Sequence, residues 1–120
     1  MSEFVDDLGE WGERVAIDFL KEKGYFVSNH DWRFKHLDID IVAIDNGTKE
    51  IVFVEVKTRR NNLFGEPQSA VDYKKVKNVK RAANAYMTYH GVKRSPRFDI
   101  IAVIGTDDSN VQINHFPGAF

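Results

Sequence analysis

Asp40, Glu55 and Lys57 are three charged residues set into apolar runs, and their spacing is one that chemistry can use. Leu37-Asp38-Ile39-Asp40-Ile41-Val42-Ala43-Ile44 and Ile51-Val52-Phe53-Val54-Glu55-Val56-Lys57 both read as strands, joined by the turn signal Asp45-Asn46-Gly47. Side chains alternate along a strand, so Asp38 and Asp40 share one face, and Glu55 and Lys57 share one. Antiparallel pairing across the turn brings Asp40 near Glu55. Two carboxylates in apolar strands are costly and repel each other, so something must compensate. A divalent cation does so, since Mg²⁺ takes hard oxygen ligands, usually one or two carboxylates with water and a phosphate oxygen. Two carboxylates on one metal orient a water and neutralise charge on a scissile phosphate. Lys57 follows Glu55 by two residues, about 6–7 Å along a strand. There a cation can hold the attacking hydroxide or steady the pentacovalent phosphate. Taken alone, Glu55-Val56-Lys57 also reads as a structural ion pair at a strand end.

The charge distribution supplies a second pointer. The net charge is −1, but residues 1–56 hold 13 acids against 6 bases, and residues 57–97 hold 11 bases against Glu66 and Asp72. A segregated basic segment is the footprint of a polyanion site, or else a solvated helix face. Thr58, Arg59 and Arg60 follow the strand. Lys74, Lys75, Lys77, Lys80 and Arg81 lie on a helical pattern, where they become candidate contacts to a DNA backbone. Glu10 and Glu13, three apart on the first helical pattern, are neighbours on its surface, and Gly12 permits close backbone approach.

The elements that must position these residues follow from periodicity. Leu8, Trp11, Val15, Ile17, Phe19 and Leu20 predict a helix that Gly24 stops, and Tyr25-Phe26-Val27 predicts a short strand. The run from Ile51 is apolar on both faces, which makes it central in the sheet. Residues 61–68 are polar, with Gly65 and Pro67, and predict a loop. Ala70 to Tyr89 predicts a long helix ended by Gly91. Phe98 to Ile104 reads as a strand, and Val111 to Phe116 alternates like a half-exposed edge strand. The order α-β-β-β-α-β-β predicts a three-layer α/β domain, with a central mixed sheet flanked by helices, over residues 1–120.

Composition narrows the function classes. With 120 residues, 42% hydrophobic and 29% charged, the chain reads as a globular domain with its own core. Having no cysteine, it has no disulfide scaffold, no Cys-ligated metal and no cysteine nucleophile. No apolar run reaches the ~20 residues of a membrane span, and the acidic start Met1 to Asp7 lacks a signal core, so a cytoplasmic protein is expected. His30, His36, His90 and His115 show no metal-ligand spacing and read as solvated or hydrogen-bonded. Trp11 reads as a core residue, and Trp32 falls in a polar loop.

These residues resemble a known set. Asp40 followed by Glu55-Val56-Lys57 matches the Asp…Glu-x-Lys signature of restriction-endonuclease-like nucleases. Several runs taken together resemble the YraN-like family of predicted bacterial endonucleases over nearly the whole chain. They are Gly9-x-x-Gly12-Glu13-x-x-Ala16, Ile39-Asp40-Ile41-Val42-Ala43, Val52 to Arg59, Ala70-Val71-Asp72-x-x-Lys75, Phe98-Asp99 and Ala119-Phe120. The family usually shows Gly-Glu-Ile-Asp where this chain has Leu37-Asp38-Ile39-Asp40. The resemblance implies a restriction-endonuclease-like fold, similar to archaeal Holliday-junction resolvases, and a Mg²⁺ or Mn²⁺ site. It implies Asp40 and Glu55 as metal ligands, Glu13 as a helix carboxylate reaching the metal, the Val56 carbonyl as a further ligand, and Lys57 as the catalytic cation. The expected activity is metal-dependent cleavage of DNA, including branched or structured DNA, by a protein that forms a homodimer. The alternative is a nuclease-like fold that grips DNA without cutting it.

Overall fold

The computed structural model describes residues 3–61 and 73–120. The elements are α1 (Glu3–Glu22), β1 (Tyr25–Phe34), β2 (Leu37–Asp45), β3 (Ile51–Arg59), α2 (Tyr73–His90), β4 (Pro96–Asp107) and β5 (Asn110–Phe116). This is the order that periodicity predicts. The loop expected over residues 62–68 and the helix start at Ala70 to Asp72 lie outside the described residues.

The five strands form one mixed sheet in the order β1-β2-β3-β4-β5. Three neighbouring pairs are antiparallel, while β3 and β4 run parallel. A parallel neighbour needs a crossover, and α2 lies within it. The doubly apolar β3 is therefore the middle strand, as its composition requires, and β5 is an edge. Val52 and Val54 face α1, where they pack with Val15, Ala16, Leu20, Ile41, Ala43, Ile101 and Val103. Ile51 and Phe53 face α2, where they pack with Ala82, Ala83 and Tyr86. The domain thus has three layers, each helix covering one face of the sheet.

The structure corrects three local expectations. The strand expected over Tyr25 to Val27 runs on to Phe34. Its polar residues 28–31 looked like loop because β1 is an edge strand whose outer positions meet solvent. Trp32, expected in a loop, lies in that strand and packs edge-on against Tyr86 at 5.2 Å. At the β2–β3 turn, Asp45 Oδ1 accepts the Gly47 N–H at 2.8 Å. The left-handed residue there is Lys49, with φ 69°, rather than Asn46 or Gly47.

A backbone irregularity sits at the carboxylates. Leu37 and Ile39 pack toward α2, but Ile41 and Ala43 pack toward α1, so the alternation of β2 breaks at Asp40. In β1, His30 pairs with Ile41 and Trp32 with Ile39. Between these pairs lies Asp31, at φ 50°, a region that aspartate enters more readily than most residues. The registered pairs of β2 with β3 run from Ile44↔Ile51 to Ile41↔Val54. Just past them Asp40 Oδ2 accepts the Val56 N–H at 2.8 Å, so a side chain takes over from the ladder.

Candidate active site

Glu55 is buried at 5% exposure in the last turn of pleat before β3 leaves the sheet core. By alternation with Ile51 and Phe53 it faces α2, and Lys57 faces the same way. The Lys57 ammonium lies 3.5 Å from Glu55 Oε2. The same oxygen meets the Lys75 ammonium of α2 at 3.4 Å. A buried carboxylate demands compensating charge, and here two lysines supply it from two different layers. Burial lowers the pKa of Lys75, but Glu55, Asp38 and Asp40 outweigh it and leave the ammonium more basic than usual.

Asp40 stands between the layers, tied to the Val56 N–H. Burial, and then repulsion from Glu55, push its carboxyl up to about 7, against the pull of that hydrogen bond. Glu13 adds to the rise from the α1 side. Glu13 itself is raised by burial and by the nearby Asp31, while His30, with Nδ1 3.5 Å from Glu13 Oε1, works the other way.

On the α1 side Asp40 and Glu13 border an open cleft of about 850 Å³. Glu10, Glu13, Arg14, His30, Asp31, Arg33, Asp38, Asp40, Val56, Thr58 and Arg59 line it. The floor of the cleft depends on Gly12. A Cβ at that position would collide with the Thr58 side chain, so glycine is what lets α1 lie this close to β3.

Each expected site residue now has a place. Asp40, Glu55 and Lys57 come together as the strand pairing predicts. Glu13 reaches the cleft beside Asp40, but Glu55 lies on the other face of β3. Among the described residues, no three His, Asp or Glu side chains already form a metal cage. The Val56 peptide takes part through its N–H. Thr58 packs on Gly12, and Arg59, exposed, bonds the Thr58 carbonyl at 2.8 Å. Arg60, Lys74, Lys77, Lys80 and Arg81 are exposed. Lys80 lies 5.5 Å from the centroid of the Phe98 ring. Lys75, expected among them, is turned into the site instead.

Sequence reasoning missed the β1 side of the cleft, namely His30, Asp31 and Arg33. Extending the strand past Val27 would have put Asp31 and Arg33 on the face opposite Trp32, whereas His30 reaches the cleft only through the left-handed bend at Asp31. It also missed a second polar network at the opposite end of the sheet. Asp99, at 0% exposure, accepts a bidentate pair from Arg97 (Nε–Oδ1 2.9 Å, Nη2–Oδ2 2.8 Å) and is also bound by His115 Nε2 at 2.8 Å and by the Gly118 N–H at 3.0 Å. Arg97 also binds Asp45, Glu50 and the Tyr25 hydroxyl.

Fold and site together define a class: a three-layer α/β domain carrying a buried carboxylate–lysine cluster where its central strands part. The model of the uncharacterised protein family UPF0102 matches residues 12–103. The chain is similar to a UPF0102 protein of Bacteroides thetaiotaomicron, 45% identical over 115 residues, which cover 96% of this chain and 93% of the relative. It is similar to one of Chlorobium phaeobacteroides at 42% over 97% of this chain and 91% of the relative. Another, from Syntrophomonas wolfei, is 37% identical over 95% and 97%. The chain therefore belongs to the UPF0102 family, the YraN-like group whose motifs it carries. No helix among the described residues is long and apolar enough to cross a membrane.

Proposed function

We propose that this protein is an endonuclease that hydrolyses DNA phosphodiester bonds with a bound Mg²⁺ or Mn²⁺. One observation carries the reading: Asp40 and Glu55, two mutually repelling carboxylates, are kept together in a largely buried place with Lys57 beside them. A hard divalent cation fits that donor set, because closely placed carboxylate oxygens are the ligands it takes. Asp40 and Glu55 would hold it, with Glu13 and the Val56 carbonyl as further donors. When bound, the metal supplies an activated water and Lewis acidity toward the phosphate. Lys57 orients the nucleophile and balances charge on the pentacovalent phosphorus. Thr58, Arg59, Arg60, Lys74, Lys77, Lys80 and Arg81 bind the phosphate backbone, which fixes position without reading sequence. Branched or structured DNA is the substrate class, the active form is a homodimer, and the protein works in the cytoplasm.

The test is a panel of labelled linear, flapped and four-way DNAs, plus supercoiled plasmid, incubated with Mg²⁺ or Mn²⁺. Cleavage by wild type and none by Glu55→Ala is the expected result. A second reading, a module that grips DNA without cutting, is favoured by the separation of Glu13 from Glu55 across β3. Salt-sensitive DNA binding with no cleavage under either metal would establish that reading instead.

A further inference from the structure

We propose that Lys75 is an internal counter-ion that competes with the divalent cation for Glu55 and so sets the metal concentration at which the site loads. The inference rests on the metal-site reading above and adds how that site is regulated. Glu55 Oε2 is the oxygen at issue. It meets Lys57 at 3.5 Å and Lys75 at 3.4 Å. An ammonium and a metal cannot both take the same side of one carboxylate oxygen, and each repels the other.

The two lysines differ in what holds them. Lys57 is two residues from Glu55 on the same strand, so β3 itself fixes it in the site. Lys75 arrives from α2, in another layer, on a flexible four-carbon stem. Its side chain is 38% exposed, against 16% for Lys57, so a path to solvent is open to it. The neighbouring basic residues of α2, Lys74 and Lys77, are exposed. The inward turn of Lys75 is therefore specific to its position and is not a property of the helix as a whole. Once a cation takes Glu55, the Lys75 ammonium is released at the edge of the site, where a DNA phosphate is the available anion.

Calorimetric titration of Mn²⁺ into the wild type and into Lys75→Met, Lys75→Arg and Lys21→Met proteins tests this, with plasmid cleavage as a second readout. Lys21 is exposed on α1 and controls for net charge. Lys75→Met should bind Mn²⁺ about ten-fold or more tightly, the scale expected when a unit charge within a few Å is removed. Lys75→Arg should stay near wild type, and Lys21→Met should change affinity less than two-fold. Lys75→Gln replaces the methionine variant if that protein fails to melt cooperatively. Equal or weaker Mn²⁺ affinity in Lys75→Met, with wild type binding metal and cutting DNA, overturns the counter-ion role and leaves the nuclease reading standing. No Mn²⁺ binding by any variant, with no cleavage, overturns both.

Discussion

Asp40 gives the protein an unusual pH response. Burial, and then the Glu55 charge, push its carboxyl up to about 7 in the folded chain, against the ordinary aspartate value when unfolded. The folded state therefore holds a proton that the unfolded state has already lost. Between those two values stability falls as pH rises, and the full cost is present above about 7. In EDTA, wild type should melt several degrees higher at pH 5.5 than at pH 8. Asp40→Asn, which keeps an acceptor for the Val56 N–H, should flatten that difference and raise the melting point at pH 8. A wild-type melting point that climbs from pH 5.5 to 8 would show that Asp40 is paired as a structural anion. The proposed nuclease function makes a separate prediction about Lys57. Lys57→Ala should retain Mn²⁺ binding while single-turnover cleavage slows by about 10²–10³, the scale for losing a group that acts in the transition state. Equal rates would remove Lys57 from the mechanism. The sequence showed these three residues clearly, because a charge inside an apolar strand stands out. It did not show the part of Lys75, whose charge on a lysine-rich helix is indistinguishable from its neighbours until α2 is docked.

At the scale of elements, the contact of α1 with β3 turns on Gly12 and Thr58. Gly12→Ala introduces a Cβ into the Thr58 side chain, and both backbones belong to well-packed layers. The variant should lose about 1–3 kcal/mol by urea denaturation, the usual cost of overpacking. Adding Thr58→Ala should recover part of the loss and no more, since the Cβ at 58 would still be only 2.9 Å from the new methyl. Purely additive losses in the double variant would mean that Gly12 serves the helix backbone rather than the contact. The sequence placed every element of the described chain in order, because each carries at least a short apolar or periodic run. It missed most of β1 for a physical reason. An edge strand satisfies one side with solvent, so its polar positions carry no apolar signal. The same edge lets Asp31 take a left-handed conformation opposite Asp40, and no pattern of residue types announces that bend.

At the scale of the whole molecule, polar networks sit at both ends of the sheet with opposite pH behaviour. Burial raises the Asp99 pKa, but Arg97, His115 and the Gly118 N–H prevail and hold it below the usual carboxylate range. Asp45 is likewise held low, chiefly by Arg97. Stability from these acids is present above their ordinary values and is lost as pH falls through the acid range. Arg97 joins residues from β1, β2, β4 and the turn before β3. Arg97→Met should cost about 3–5 kcal/mol in chemical denaturation, because it leaves the buried Asp99 short of its main cation. A loss under 1 kcal/mol would show that His115 and Gly118 suffice. In the sequence Arg97 is one of the 11 bases of the basic segment 57–97, since a charge tally cannot tell a buried cation from a solvated one.

The parallel pairing of β3 with β4 has a consequence during synthesis. Asp40, Glu55 and Lys57 leave the ribosome together, but β3 must wait for its outer neighbour until roughly 40 more residues have been made, about 2–8 s at ordinary translation speeds. Through that interval the most apolar strand of the protein has an unpaired edge, the kind of surface that captures other nascent chains. The half-made chain is thus the form most in need of a chaperone. A chain truncated after Arg60 should be recovered in aggregates, while one that extends through β5 should stay in solution.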